Sequence, residues 1–366
     1  MGDEQYMRRA IELAKRGCGW VNPNPLVGAV VVKGGRIIGE GYHARCGQAH
    51  AERRALTDCA ASPVGATLYV TLEPCCHEGR TPPCTEAMLA SGIARVVIGS
   101  RDPNPLVAGK GVEALRAQGV EVVQDVERGA CDEVNRSFFH FIQHRTPYVV
   151  MKYAMTMDGK IATASGLSRW ITGEAARLQV HQDRLRHSAI MVGVGTVLAD
   201  DPLLTCRIEG GRNPLRVVCD THLRTPETAA VVATSGDVPT VIATAVADAD
   251  RHRPYRAAGC GVMVVPRDGD HIDLAALMRA LGEREVDSLL LEGGGTLNWS
   301  ALRSGVVHRV QAYVAPKIFG GRAMTPVGGA GVAEPGAAVR LGPPAISRLG
   351  DDLLLDSEVL ACSPES

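Results

Sequence analysis

The chain has 366 residues, 45% hydrophobic and 22% charged, a balance that buries a core and excludes a disordered chain. The length is more than twice that of a common single domain, so two domains are expected. Lys and Arg number 39 against 40 for Asp and Glu, and without a basic excess in either half, bulk attraction to nucleic acid or an anionic membrane is excluded.

In chain order, Asp3 caps a predicted helix running to about Arg16, with Met7, Ala10, Ile11 and Ala14 on one face and Gly17 as its stop. Residues 27–33 and 36–42 form a hairpin around Gly34-Gly35, which supply the positive-φ turn. A helix over 50–61, a strand over 66–72, a helix over 85–91 and a strand over 95–100 follow. A helix over 111–118, a strand over 120–124 and a single helix over 127–143 complete the first half. At Arg145-Thr146-Pro147 the pattern restarts with the strand PYVVMKYAM, which divides the chain into 1–146 and 147–366. The second half shows a helix over 174–187 and strands over 189–194, 215–220, 240–244 and 261–265. A helix over 274–282, a strand over 288–292, a helix over 296–304 and a strand over 309–315 end the series. Alternating strands and helices predict an α/β protein whose mostly parallel sheets are covered on both faces.

Eleven cysteines are an odd number, and a chain of this length needs no disulfide staples. The opening MGDEQYMRRAIELAKRG is charged and amphipathic, and no stretch reaches the roughly 18 apolar residues of a membrane span. The expected compartment is a reducing cytoplasm, with no membrane partner.

The chemistry-bearing residues of the first half are His50-Ala51-Glu52 at a helix start, and Glu73-Pro74-Cys75-Cys76-His77 after a strand, with Cys84 nine positions beyond Cys75. One imidazole and two thiolates leave the fourth tetrahedral position of zinc open, as catalysis requires. Zinc lowers the pKa of water toward neutrality, and Glu52 can then move the proton without ligating the metal. This pairing of H-x-E with P-C…C is the layout of nucleobase deaminases, except that eight residues separate the two cysteines where two are usual. Alternatives stay open: His77 as a fourth ligand would close the site into a structural one, and Cys76 could replace Cys75. In the second half no G-x-G-x-x-G follows a strand. Gly193-Val194-Gly195-Thr196 lacks the third glycine, whereas Gly293-Gly294-Gly295 lies after a strand and before a helix, where a phosphate could approach helix N–H groups; each cluster also reads as a simple turn.

His50-Ala-Glu52, the run EPCCHEGRTPPC and Asn22-Pro-Asn24-Pro-Leu-Val-Gly28 together resemble the bifunctional riboflavin-biosynthesis deaminase/reductases, and the resemblance spans nearly the whole chain. It implies a cytidine-deaminase-like three-layer domain followed by a dihydrofolate-reductase-like domain. The first would hydrolyse the 2-amino group of 2,5-diamino-6-ribosylamino-4(3H)-pyrimidinone 5′-phosphate, with zinc on His50, Cys75 and Cys84 and Glu52 as proton donor. Asn24, His43, His77 and Arg80 would recognise the substrate. Cys76 stands where the family usually has Ser, and Arg80 where Lys is also found.

In the second half MKYAMTMDGKIA, Ser168-Arg-Trp170-Ile, GVGTVLADDPLLTCR and LEGGGTL resemble the reductase, which uses NADPH to reduce the ribosyl group to ribityl. Ala154, Trp170, Thr196, Asp200, Thr221 and Gly294, Gly295, Thr296, Leu297, Asn298, Trp299 and Ser300 would contact NADPH. Lys152 joins this set, with a charge that could neutralise a phosphate or assist the sugar carbon. Ser168, Arg184, Leu204, Arg207 and Glu292 would hold the substrate, Arg184 and Arg207 being suited to a phosphate dianion. The family resemblance also implies a homo-oligomer, dimer or tetramer. Two rival readings share part of this evidence: a nucleic-acid base deaminase, disfavoured by an aromatic content of 4% and the absent basic excess, and a deaminase with a relic reductase domain.

Overall fold

The structure is a computed structural model that describes residues 2–76 and 82–360. Contacts divide the chain into two compact units, 1–145 and 146–366, each with its own core.

The first unit runs α1 (Asp3–Lys15), β1 (Gly28–Lys33), β2 (Arg36–Tyr42), α2 (Ala51–Thr57), β3 (Thr67–Leu72), α3 (Cys84–Ala90), β4 (Arg95–Ser100), α4 (Lys110–Ala117), β5 (Glu121–Val123), α5 (Arg128–Val134) and α6 (Arg136–His144). Its five strands lie in the order β2-β1-β3-β4-β5. The ladders from β3 to β5 are parallel, whereas β1 is antiparallel to both neighbours, so this sheet is more mixed than the alternation predicted. Helices cover both faces. Val31, Val70 and Ile98 pack with Ala55, Met88 and Leu115 on one side, and Val30, Tyr69 and Val97 pack with Met7 and Ile11 on the other. The helix expected over 127–143 is broken at Asn135, whose φ of −111° and ψ of 15° leave the helical basin. The Asn135 amide is committed elsewhere, exchanging hydrogen bonds with the Leu26 backbone N–H (2.8 Å) and carbonyl (2.9 Å).

The second unit begins β6 (Tyr148–Thr156), α7 (Glu174–Arg186), β7 (Ala189–Gly193), α8 (Val194–Asp200), β8 (Leu215–Cys219), α9 (Ala230–Ala233), β9 (Thr240–Thr244), α10 (Ala249–Ala257) and β10 (Gly261–Val264). It continues with the short strands β11 (Arg267–Asp268) and β12 (His271–Ile272), then α11 (Leu274–Gly282), β13 (Ser288–Leu291), α12 (Gly295–Arg303), β14 (Arg309–Ala315), β15 (Ala345–Leu349) and β16 (Asp352–Glu358). Nine strands form one sheet, β10-β9-β8-β7-β13-β6-β14-β16-β15, parallel from β10 to β14 and antiparallel through β16 and β15. The central strands alternate Met191 and Leu291 toward α11 and α12 with Ile190 and Val218 toward α9 and α10. Burial on both faces explains why these strands read as continuous apolar runs. Among the described residues no helix is long and apolar enough to cross a membrane.

Candidate active sites

The first site forms where α2 lies flat on β2. A Cβ at Gly41 would stand 2.4 Å from the Ala51 carbonyl oxygen, and one at Gly39 would stand 2.2 Å from that of Ala55, so only glycine lets the helix backbone come this close. His50 is the residue before α2, and Glu52 lies in its first turn. Cys75 follows the end of β3, and Cys84 is the first residue of α3. The three ligand atoms lie within 4.8 Å of one another, with His50 Nδ1 3.6 Å from Cys75 Sγ and 3.3 Å from Cys84 Sγ. Tetrahedral zinc, with bonds of about 2.3 Å to sulfur and about 2.0 Å to nitrogen, puts those atoms about 3.5 Å apart. The donor set fits zinc in both chemistry and spacing.

Electrostatics around this cluster favour cation capture. A hydrogen bond from Cys84, with His50 beside it, pulls the Cys75 thiol down to about 4, while the same contact and burial push the Cys84 thiol up. The thiol lowered in this way is the kind that serves as a thiolate metal ligand. The Cys84 N–H also donates to Cys75 Sγ (3.3 Å). Glu52 is 3% exposed, and burial raises its carboxyl above the usual carboxylate range. A carboxyl that readily holds a proton beside an open metal position suits proton transfer. Cys76 turns away, its thiol toward the Leu106 carbonyl at 4.0 Å, and it is not in the cluster. Asn24 Nδ2 lies 3.3 Å from His43 Nε2, and the His43 ring stands edge-on to His50 with centroids 5.4 Å apart. His77 and Arg80 lie outside the described residues.

Two supports had no role assigned to them from the sequence. Glu73, just before Pro74-Cys75, accepts from the Gly109 (3.1 Å) and Val112 (3.4 Å) N–H groups around the start of α4. Arg53, next to Glu52, donates to the Pro82 (3.1 Å) and Pro83 (3.0 Å) carbonyls directly before Cys84. The E-P-C run and the charged neighbour of H-A-E were the available signals.

In the second unit Glu292, one residue past β13, is gripped by two cations. Arg184 on α7 donates to both of its oxygens (2.8 and 2.9 Å), and Lys152 on β6 donates to one (3.0 Å). Burial alone would raise the Glu292 carboxyl, but Arg184 and Lys152 overcome it and hold it well below the usual range. The remaining Arg184 terminal nitrogen donates to the Thr205 carbonyl (3.0 Å). Arg184 is thus committed to a carboxylate rather than open to a phosphate, while Arg207 is exposed. Lys152, expected with the cofactor, belongs to this carboxylate cluster.

Beside it runs a cavity of about 610 Å³ along the C-terminal ends of β13, β7 and β8, in the size range of small-molecule sites. Of the residues expected at NADPH, Thr196, Asp200, Thr221, Gly294, Gly295, Thr296, Leu297 and Ser300 line it, as does Ser168. The starts of α8 and α12 bring backbone N–H groups to its wall, which fits a pyrophosphate. Two expected contacts point elsewhere. Asn298 is fully buried, its amide donating to the Pro326 carbonyl (2.8 Å), and the Trp299 ring lies against Gly329, where a Cβ would come within 2.1 Å. Ala154 and Trp170 are also outside the cavity wall; Ala154 packs beside Tyr313 and Leu354, and Trp170 is exposed with Arg177 over its ring at 4.8 Å. Leu204 is buried with a positive φ of 53°.

A thiolate–imidazole zinc set in one unit and a cofactor-sized cleft beside a partly buried Lys–Glu–Arg cluster in the other define a two-activity enzyme of the deaminase–reductase class. Residues 1–100 match the cytidine and deoxycytidylate deaminase zinc-binding region, and residues 147–355 match the RibD C-terminal domain. A riboflavin biosynthesis protein RibD of Actinobacillus pleuropneumoniae is 54% identical over 99% of this chain and 96% of its own length. The RibD of Escherichia coli is 40% identical over 87% of this chain and 89% of its own. A diaminohydroxyphosphoribosylaminopyrimidine deaminase/5-amino-6-(5-phosphoribosylamino)uracil reductase of Thermotoga maritima superposes with a TM-score of 0.88 at 38% identity, covering 98% and 99% of the two chains. The chain belongs to the RibD family, bifunctional enzymes of riboflavin biosynthesis that carry out a deamination and then a reduction.

Proposed function

We propose that residues 1–146 deaminate 2,5-diamino-6-ribosylamino-4(3H)-pyrimidinone 5′-phosphate, and that residues 147–366 use NADPH to reduce the ribosyl group of the product, giving 5-amino-6-ribitylaminouracil 5′-phosphate. The observation that carries the first half is the His50, Cys75 and Cys84 triangle with its tetrahedral spacing and the buried Glu52 beside it. Zinc, when bound, supplies the Lewis acidity that makes water a nucleophile near neutral pH. Glu52 would take a proton from the attacking water and return it to the departing amino group, so that oxygen replaces nitrogen at C2 and ammonia leaves. Asn24 and His43 orient the pyrimidine, a role expected also of His77 and Arg80.

In the second half, Glu292 holds the Lys152 ammonium through a 3.0 Å contact at the substrate end. There Nζ would be a proton source for the ring-opened sugar imine. NADPH, when bound, would supply the hydride, while the chain supplies orientation and charge. Ser168, Leu204 and the exposed Arg207 receive the substrate. Unpaired cysteines support a reducing cytoplasm. The edge strand β15, with Ile346 65% exposed, supports a homo-oligomer, since free sheet edges are usually covered.

The test is a product assay on the purified enzyme with zinc and NADPH withheld in turn. Ammonia release should require only zinc, and loss of absorbance at 340 nm should require the deaminated intermediate. Ammonia release from metal-free enzyme, or a flat 340 nm trace with the intermediate supplied, overturns the corresponding half.

A further inference from the structure

Helix α7 buries a carboxylate on the face it presses against the sheet. Ala176 and Val180 pack there with Tyr313, Leu354 and Ala154, and Asp183, next along the same face, is 1% exposed. Its Oδ2 accepts from the Tyr313 hydroxyl on β14 (2.6 Å), and its Oδ1 accepts from Gln179 Nε2 one turn earlier (3.2 Å). The Asp183 carbonyl accepts from Nδ1 of buried His187 (2.8 Å), which closes the end of the helix. Tyr313 is fully buried. Burial and the Asp183 carboxylate push its phenol up, so the hydroxyl keeps its proton and donates. Neither Asp183 nor Tyr313 lines the cavity.

Sheet order places this anchor beside the charged cluster. Strand β6 lies between β13 and β14, and α7 reaches both neighbours: Asp183 meets Tyr313 on β14, and Arg184, the next residue, meets Glu292 just past β13. Lys152, on the strand between, donates to the same Glu292 (3.0 Å). The β6–β14 ladder sets Tyr313 opposite Ala154, two residues along from Lys152. The contacts close a ring from Lys152 through Glu292, Arg184, Asp183 and Tyr313 back to β6. Consecutive helical residues point about 100° apart, so α7 cannot slide or turn without disturbing both grips. Apolar contacts such as those of Ala176 and Val180 are non-directional, whereas a short hydroxyl–carboxylate bond in a dry interior is directional. Stability alone does not call for it, because apolar side chains of similar volume commonly serve as well as a buried polar pair.

We infer that Tyr313 and Asp183 are positioning residues of the reducing centre: they fix where α7 holds Arg184 and, through Arg184, the orientation of Glu292 and of the Lys152 ammonium. The inference rests on the reductase reading above and adds the groups that aim its charged cluster. Arg184 meets Glu292 through two nitrogens at 2.8 and 2.9 Å, a two-pronged geometry that tolerates little displacement. A misplacement of about 1 Å at a reacting centre costs about 10²-fold in rate, and the loss of one anchoring bond gives part of that.

The experiment follows NADPH oxidation by the full-length enzyme supplied with the deaminated intermediate, with ammonia release as internal control. Y313F removes one oxygen and keeps the ring. It should lower kcat about tenfold, change KM for the intermediate and NADPH less than about twofold, and leave ammonia release at the wild-type rate. D183L should match Y313F, whereas D183N, whose amide oxygen still accepts from the hydroxyl, should keep most of the rate. In an R184M background Y313F should cost nothing further, since groups acting through one contact are not additive; a merely structural loss would repeat in full. The double variant Y313F/D183L removes both polar partners together and reads the same kcat should Y313F alone not fold. The inference is overturned if Y313F or the double variant keeps kcat within about twofold of wild type, if only KM rises, or if the loss adds in full to that of R184M. In those cases the reductase reading stands. Wild type that does not oxidise NADPH overturns both.

Discussion

Glu52 sits at the deaminase centre without being among the metal donors, and its burial keeps the carboxyl protonated more readily than usual. Glu52→Gln keeps the volume and removes the proton carrier. Ammonia release should fall by about 10²-fold or more while zinc content stays at wild type, measured by metal analysis of the same preparation; lost zinc would mean that Glu52 holds the site together instead. Asp102 makes a different residue-scale case. It is buried, its carboxyl is pushed up to about 6 by desolvation, and the Asn104 N–H at 2.8 Å only partly offsets this. Its folded pKa is above the unfolded value, so between about pH 4 and 6 the folded chain retains a proton that the unfolded chain releases. Stability therefore falls as pH rises through that window, by about 3 kcal/mol at most. Asp102→Asn removes the ionisation, so its melting temperature relative to wild type should be higher at pH 7.5 than at pH 4.5; an equal difference at both pH values counts against it. Of these residues, Glu52 was legible because H-x-E places it by spacing. Asp102 was not, since nothing local distinguishes a buried aspartate from one in a solvated turn.

At the scale of elements, the zinc triangle depends on how α2, β3 and α3 are tied together. Arg53 joins α2 to the carbonyls just before α3, so Arg53→Ala should loosen Cys84 and lower zinc affinity about 10-fold or more, as loss of outer hydrogen bonds does at metal sites. Competition with a chromogenic chelator reads this directly; unchanged affinity would show that β3 and Glu73 suffice. Arg216 is the corresponding tie in the other unit. It is fully buried in β8 and donates to the Thr240 and Thr234 hydroxyls and to the Leu203, Val231 and Val238 carbonyls, with no carboxylate among them. Arg216→Met should leave these acceptors unpaired and cost about 3 kcal/mol or more, read as a lower denaturation midpoint.

The parallel strands β6 to β9 could be read in the sequence because both faces are buried and the runs are apolar. Elements β15 and β16 could not: three successive leucines in DLLLDSE mask the strand period, β15 is mostly exposed, and the Gly- and Pro-rich stretch before them suggests no strand. Helix α8 was hidden for another reason, because Gly193-Val-Gly195 reads as a turn while its helix begins inside it. The same limit applied to the reductase site. Sequence placed Arg184 and Glu292 near the substrate, but only the fold shows that each satisfies the other and that Lys152 completes the cluster.

Across the whole molecule, two units with separate cores predict two activities that fail separately. The His50, Cys75 and Cys84 cluster is the one potential metal-binding group found among the described residues, and it lies entirely in the first unit. The Lys152–Glu292–Arg184 cluster is held by its own ion pairs and lies entirely in the second unit. Stripping zinc with a chelator should therefore abolish ammonia release but leave NADPH oxidation with the deaminated intermediate near its original rate. Zinc should also protect the first unit against unfolding, because a ligand that binds only the folded state stabilises it in proportion to RT ln(1 + [L]/Kd). The converse variant, Lys152→Met, leaves Glu292 paired by Arg184, so the fold should persist. NADPH oxidation should nevertheless drop by about 10²-fold or more if Nζ is the proton source, with ammonia release untouched. A chelator that stops both reactions, or a Lys152 variant that slows deamination, would show that the units are coupled more tightly than their separate cores imply.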